Sequence, residues 1–189
     1  MTALLVLEEV ACLRGGRLLF EGMNLRLAAG EARCVTGPNG TGKSSLLRIA
    51  AGLLDPAAGK VQAAPAALAD DTLALDREQS LGAALRFWAG LDGTEPALAK
   101  ALEAFGLERL EEVPVRMLSA GQARRARLAR VQASGARLWL LDEPLNGLDA
   151  PGSAQLGQAI AAHRSSGGAV LAASHVRMPG DWQLLELGR

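Results

Sequence analysis

An α/β fold with a mainly parallel central sheet is what this sequence predicts, and three observations carry the prediction. Short apolar runs of strand length alternate with segments of helical spacing along the chain. One such run, Ala32 to Thr36, feeds through Gly37-Pro38-Asn39-Gly40-Thr41-Gly42-Lys43-Ser44 into the helical pattern Ser45-Leu46-Leu47-Arg48-Ile49. Another, Leu138-Trp139-Leu140-Leu141, ends in Asp142-Glu143-Pro144. Parallel sheets bind ligands beyond the C-terminal ends of their strands, where both polar segments fall.

Taken in order, Leu4 to Leu13 reads as a strand and Arg17 to Leu27 as its hairpin partner, broken at Glu21-Gly22. This makes the N-terminal region antiparallel. The helix from Lys43 carries apolar residues at Leu46, Leu47, Ile49, Ala50 and Leu53 and stops near Gly52 to Pro56. Within the alanine-rich stretch that follows, Lys60 to Gln62 and Ala66 to Ala69 are short strands. Ser80 to Ala89 and Glu95 to Phe105 have helical spacing, separated by Gly90, Gly93 and Pro96. After the break at Pro114, Ala123 to Ala133 is a helix with arginines at 124, 125, 127 and 130. Ala150 to Arg164 is a helix closed by Ser165-Ser166-Gly167-Gly168, and Ala169 to Ala173 is a strand running into Ser174-His175. The expected organisation is one domain, with a nucleotide-binding core over 1–70 and 134–189 and a helical subdomain over 71–133.

The chain has 189 residues, 49% of them hydrophobic, enough for a real core, and its 20 basic and 20 acidic side chains cancel. A balanced charge argues against a nucleic-acid-binding surface, and no partner of that class is expected. No apolar run approaches the roughly 18 residues that span a bilayer. The apolar start meets Glu8-Glu9 without a preceding basic residue, so it reads as an opening strand and not a signal peptide, which places the protein in the cytosol. Cys12 and Cys34 lie in strand-like runs and read as core residues.

The spacing G-x-x-x-x-G-K-[ST] has a mechanical reason. Glycines let the backbone curl until successive N–H groups point inward, and the following helix offers its positive N-terminus at the same point. The loop Gly37, Pro38, Asn39, Gly40, Thr41, Gly42, Lys43, Ser44 and Ser45 is therefore expected to hold a polyphosphate, as in the P-loop NTPases. Lys43 reaches the β/γ-phosphates and the Ser44 hydroxyl ligates Mg²⁺. Asp142 is the second metal anchor, and Glu143 faces the attacking water as general base.

Leu118-Ser119-Ala120-Gly121-Gln122 selects among nucleotide-binding families. Here the sequence resembles the ATP-binding subunits of ABC transporters, and the resemblance also covers the phosphate loop, the strand Leu138 to Glu143, Asn146-Gly147-Leu148-Asp149 and Ser174-His175. It implies ATP and Mg²⁺ as cofactors and hydrolysis of ATP. It further implies a homodimer in the ATP-bound state, in which Leu118, Ser119, Ala120, Gly121, Gln122, Asn146 and Asp149 act in trans on the partner's nucleotide. His175 contacts the γ-phosphate and Glu143. A membrane permease completes the transporter and holds this subunit at the cytoplasmic face of the inner membrane.

Within that family the sequence is most like the haem-exporter subunits of bacterial cytochrome c maturation. Val113-Pro114-Val115, the alanine form of the signature followed by Ala123-Arg124-Arg125 and Leu128-Ala129-Arg130, Arg137 to Pro144, and Leu85-Arg86-Phe87-Trp88 carry this likeness. It implies that the permease grips the insert near Leu81 to Trp88, where Leu85, Phe87 and Trp88 give more apolar surface than one helix face needs; the alternative is that Phe87 and Trp88 pack the insert onto the core. Two positions depart from the family. Arg14 stands where an aromatic residue stacks on adenine, and either stacks through its guanidinium plane or is a solvated turn residue. Asp70-Asp71-Thr72 stands where a glutamine is expected, so Asp71 either supplies an oxygen to the metal site or has lost that role.

Overall fold

The computed structural model describes residues 2–72 and 74–188. Two sheets enclose a helix. The first is antiparallel, in the order β2-β1-β4, from β1 (Ala3–Arg14), β2 (Arg17–Ala28) and β4 (Ala58–Ala63). The second is parallel throughout, in the order β5-β6-β7-β3-β8, from β3 (Ala32–Thr36), β5 (Ala66–Ala69), β6 (Leu138–Asp142), β7 (Ala169–Ala173) and β8 (Gln183–Glu186). The helix between them, α1 (Lys43–Ala50), follows β3 directly but for the phosphate loop.

Strand periodicity explains why β6 and β7 read as unbroken apolar runs. Leu138, Leu140, Ala169, Leu171 and Ala173 pack on the α1 side with Val35 and the antiparallel sheet. Trp139, Leu141, Val170 and Ala172 point the other way, into a core shared with four helices. These are α2 (Leu81–Asp92), α3 (Leu98–Ala104), α4 (Ala120–Ala133) and α5 (Ala150–Ser165). Both cysteines are buried and unpaired, and burial pushes the Cys34 thiol up, which agrees with a packing role.

Three details differ from the sequence expectations. The break expected at Glu21-Gly22 is a bulge: β2 is continuous, and Gly22 takes φ +61° where Val10 pairs Met23 but Cys12 pairs Phe20. The segment 95–105 is a 3-10 turn, Glu95–Ala97, followed by α3, because Pro96 opens it. β8 was not foreseen. It pairs with β3 at the edge of the parallel sheet, and no helix among the described residues is long and apolar enough to cross a membrane.

Candidate functional site

The C-terminal ends of β3, β5, β6 and β7 lie side by side, so the phosphate loop, Asp70, Asp142-Glu143 and Ser174-His175 converge on one edge of the sheet. A cleft of about 370 Å³ there is lined by Leu19, Asn39, Gly40, Gly42, Lys43, Ser44, Ser45, Asp142 and Glu143. Three separate stretches of the sequence become one surface.

The loop's glycines are required by their neighbours. Gly37 has φ +140°, and a Cβ there would come within 2.2 Å of the Leu187 carbonyl oxygen just past β8. A Cβ on Gly42, φ +105°, would sit 2.9 Å from the Phe20 ring. The backbone thus curls between the two sheets, as close phosphate approach demands. No side chain caps the start of α1 and no acidic residue occupies its first turn, which leaves its N-terminal N–H groups for an anion. Lys43 is buried, and its Nζ donates to the carbonyls of Gly37 at 2.8 Å and Pro38 at 3.0 Å. The ammonium is held over the loop it serves.

Ser44 donates a hydrogen bond to Asp142. Burial raises the Asp142 carboxyl above its ordinary range; the Ser44 bond opposes this and the charge of Glu143 adds to it. A hydroxyl and a half-buried carboxylate that lacks enough positive charge form a hard-oxygen pair suited to Mg²⁺, which stabilises the charged form. These residues fit the ion.

Glu143 adopts a left-handed backbone, φ +45°, while its N–H donates to the Ala173 carbonyl at 2.8 Å. A non-glycine residue so held is strained, and such strain collects at working sites. Its Oε2 accepts from His175 Nδ1 at 2.7 Å and from the His175 N–H at 3.3 Å. The imidazole is half exposed and lines a neighbouring pocket with Gly37 and Ser174, beside the cleft that Glu143 lines. The carboxylate is aimed, and its orienter is open to a ligand.

The signature lies elsewhere. Ser119 caps α4: its Oγ accepts from Gln122 N–H at 3.2 Å, and the Gln122 side chain accepts from Ser119 N–H at 2.8 Å. The helix therefore starts at Ala120, three residues before the sequence expectation. Ser119 and Ala120 are exposed, Leu118, Gly121 and Gln122 partly so, and none lines the cleft. The loop 146–149 runs beside it: a Cβ on Gly121 would lie 3.4 Å from the Gly147 carbonyl, Asp149 caps α5 through Gly152 N–H at 2.9 Å, and Asn146 is exposed.

Arg14 is exposed at the β1–β2 hairpin tip, paired across from Arg17, and does not line the cleft. Asp71 is exposed and also stands outside it. In the insert, Leu85 is fully buried and belongs to the core, which corrects its reading as surplus surface. The exposed apolar residues of α2 are Phe87 and Leu91.

Comparisons with known proteins give the family and the fold. The model of the family described as ABC transporter matches residues 20–146. The chain belongs to the ABC transporter family. It is 55% identical, over 93% of its length and 91% of the relative's, to a protein of Sphingopyxis alaskensis named cytochrome c biogenesis ATP-binding export protein CcmA. A protein of the same name from Novosphingobium aromaticivorans is 54% identical over 90% of this chain and 88% of its own. Among solved structures, an ATP-binding subunit of an ABC transporter superposes with a TM-score of 0.86 at 21% identity, covering 97% of this chain and 88% of the other. That last likeness concerns the fold. With family membership given, the α/β fold with its parallel sheet and antiparallel N-terminal region stands as expected.

Proposed function

We propose that this chain is the ATP-hydrolysing subunit of an ABC export system serving cytochrome c biogenesis, and that the cargo moved by its membrane partner is haem or a haem-linked species. The observation that carries the enzymatic part is the Glu143–His175 pair beside Lys43, Ser44 and Asp142. The biological setting follows from the names of relatives sharing more than half of its residues over nearly the whole chain.

ATP binds with its phosphates in the curl from Gly37 to Ser45, where N–H groups and Lys43 compensate the charge. Ser44 and Asp142 would hold Mg²⁺, which when bound neutralises charge on the β- and γ-oxygens. Glu143 orients the attacking water and takes its proton, while His175 fixes the carboxylate and meets the γ-phosphate through its open nitrogen. Ser119, whose hydroxyl proton is free because Oγ serves the cap as acceptor, donates to the γ-phosphate of a partner subunit. A two-fold homodimer builds both sites at once. The core 1–70 with 134–189 and the helical part 71–133 then move together or apart with the nucleotide. The subunit works at the cytoplasmic face of the membrane, attached through the permease.

Two further expectations belong to the partner and the metal. Phe87 and Leu91 stand one helical turn apart and exposed on α2, whereas Trp88 donates from Nε1 to the Ala74 carbonyl at 2.6 Å and lies under Arg130 at 4.1 Å. Replacing both Phe87 and Leu91 by Ala should weaken co-purification with the permease by roughly tenfold, as loss of an apolar anchor does. Trp88→Ala should instead cost about 2 kcal/mol of stability. Retention of the permease by the double variant would remove this face from the contact.

Asp71, in the position of the glutamine, should affect coupling more than binding. Asp71→Ala is expected to reduce permease-stimulated turnover or its magnesium dependence while nucleotide affinity stays within about twofold. Matching magnesium titrations and stimulation in both proteins would show that Asp71 has neither role.

A further inference from the structure

Asp70 stands where β5 leaves the sheet, and the register pairing Ala69 with Leu141 puts it beside Asp142. It is held from two sides. Arg48, in the last turn of α1, donates from Nη2 to Oδ2 at 3.3 Å, and the Thr72 N–H donates to Oδ1 at 2.9 Å. On the main-chain side, Arg127 Nη1 donates to the Asp70 carbonyl at 2.8 Å. Arg127 sits on α4, the helix that Ser119 caps, about 12 Å along its axis from that serine.

We propose that Asp70 is a positioning residue: gripped by Arg48 of the phosphate-loop helix and by Arg127 of the signature helix, it sets where Ser119 stands relative to its own subunit's phosphate loop. Its value for the shared site rests on the two-subunit reading above; the intramolecular link does not. The two helices it joins begin at the two halves of that site, Lys43-Ser44 on α1 and Ser119 on α4. Because each helix is rigid, fixing one point late in α1 to one point midway along α4 constrains both N-termini.

The pair is too exposed to add much stability, with side chains 40% and 17% accessible, so its contribution is orientation. Arg127 has few alternatives: its Nε is buried and makes no hydrogen bond, and the charge of Arg124, one turn earlier on α4, opposes its own while Asp71 and Asp70 attract it. A glutamine is absent here, and this three-residue link occupies the joint between the sheet and the helical part.

Hydrogen exchange along 119–127 in the isolated, nucleotide-bound subunit tests the link, with ADP affinity measured on the same samples and sedimentation of the Glu143→Gln protein in Mg-ATP. Asp70→Ala should speed exchange in that segment and weaken ATP-dependent association, each by about tenfold, the middle of the range for coupled neighbours, while ADP affinity changes less than about twofold. Arg127→Ala should do the same, the double variant should add little, and Asp70→Asn, which retains an acceptor, should restore most of the protection. Unchanged exchange, additive losses, or a parallel fall in ADP affinity would overturn the role. Should the Glu143→Gln parent stay monomeric, the two-subunit reading fails alone, and exchange in the monomer still decides for or against the link.

Discussion

Glu143→Gln is expected to slow ATP hydrolysis at least ~100-fold, the low end of what a positioned base supplies, with ATP affinity unchanged. The two effects separate because different atoms carry them. In the proposed site, phosphate binding uses the curl between Gly37 and Ser45, the uncapped start of α1 and the buried Lys43, none of which depends on the Glu143 carboxylate. A glutamine keeps the shape of the side chain and an oxygen that can still accept from His175, so the left-handed turn at 143 and the imidazole's position survive. It cannot take a proton from water. Single-turnover measurement with saturating ATP isolates the chemical step, and an unchanged rate there would remove Glu143 from the mechanism.

Ser119→Arg should abolish ATP-dependent dimerisation while each subunit still binds nucleotide. The signature is exposed and lies outside its own cleft, at the capped start of α4, so in the proposed arrangement the Ser119 hydroxyl reaches only a phosphate outside its own subunit. An arginine there replaces a small donor with a bulky side chain and breaks the reciprocal cap with Gln122, worth about 1 kcal/mol to α4. That cost is too small to unfold a domain of this size. The loss of association would thus be read as loss of the contact. Nucleotide affinity equal to the parent's, measured in the same samples, keeps the two effects apart.

Much of this site was legible because its chemistry is local in sequence. The phosphate loop needs fixed spacing between glycine, lysine and serine, and Asp142-Glu143 follows a strand whose apolar run marks burial on both faces. What was missed depends on residues far apart in the chain. Gln183 to Glu186 has no alternation and an exposed Leu184; it is a strand only because β3 is there to pair with, and that pairing is what forces glycine at 37. The bulge at Gly22 looked like an end because positive φ usually ends a strand, whereas β1 continues on the other side of it. Asp70 and Asp71 are indistinguishable in sequence. Their separation comes from Arg48 and Arg127, 22 and 57 residues away, which both choose Asp70.

The shared site is the central claim, and sedimentation of the Glu143→Gln protein with Mg-ATP across a dilution series tests it most directly. In the proposed cycle hydrolysis removes the γ-phosphate that holds two subunits together, so a protein that binds but does not cleave should accumulate as the dimer. The account predicts a concentration-dependent dimer with Mg-ATP, monomer with Mg-ADP, and parent turnover that rises more steeply than linearly with protein concentration. A Glu143→Gln protein that stays monomeric at every concentration, beside a parent whose specific activity is unaffected by dilution, would contradict it.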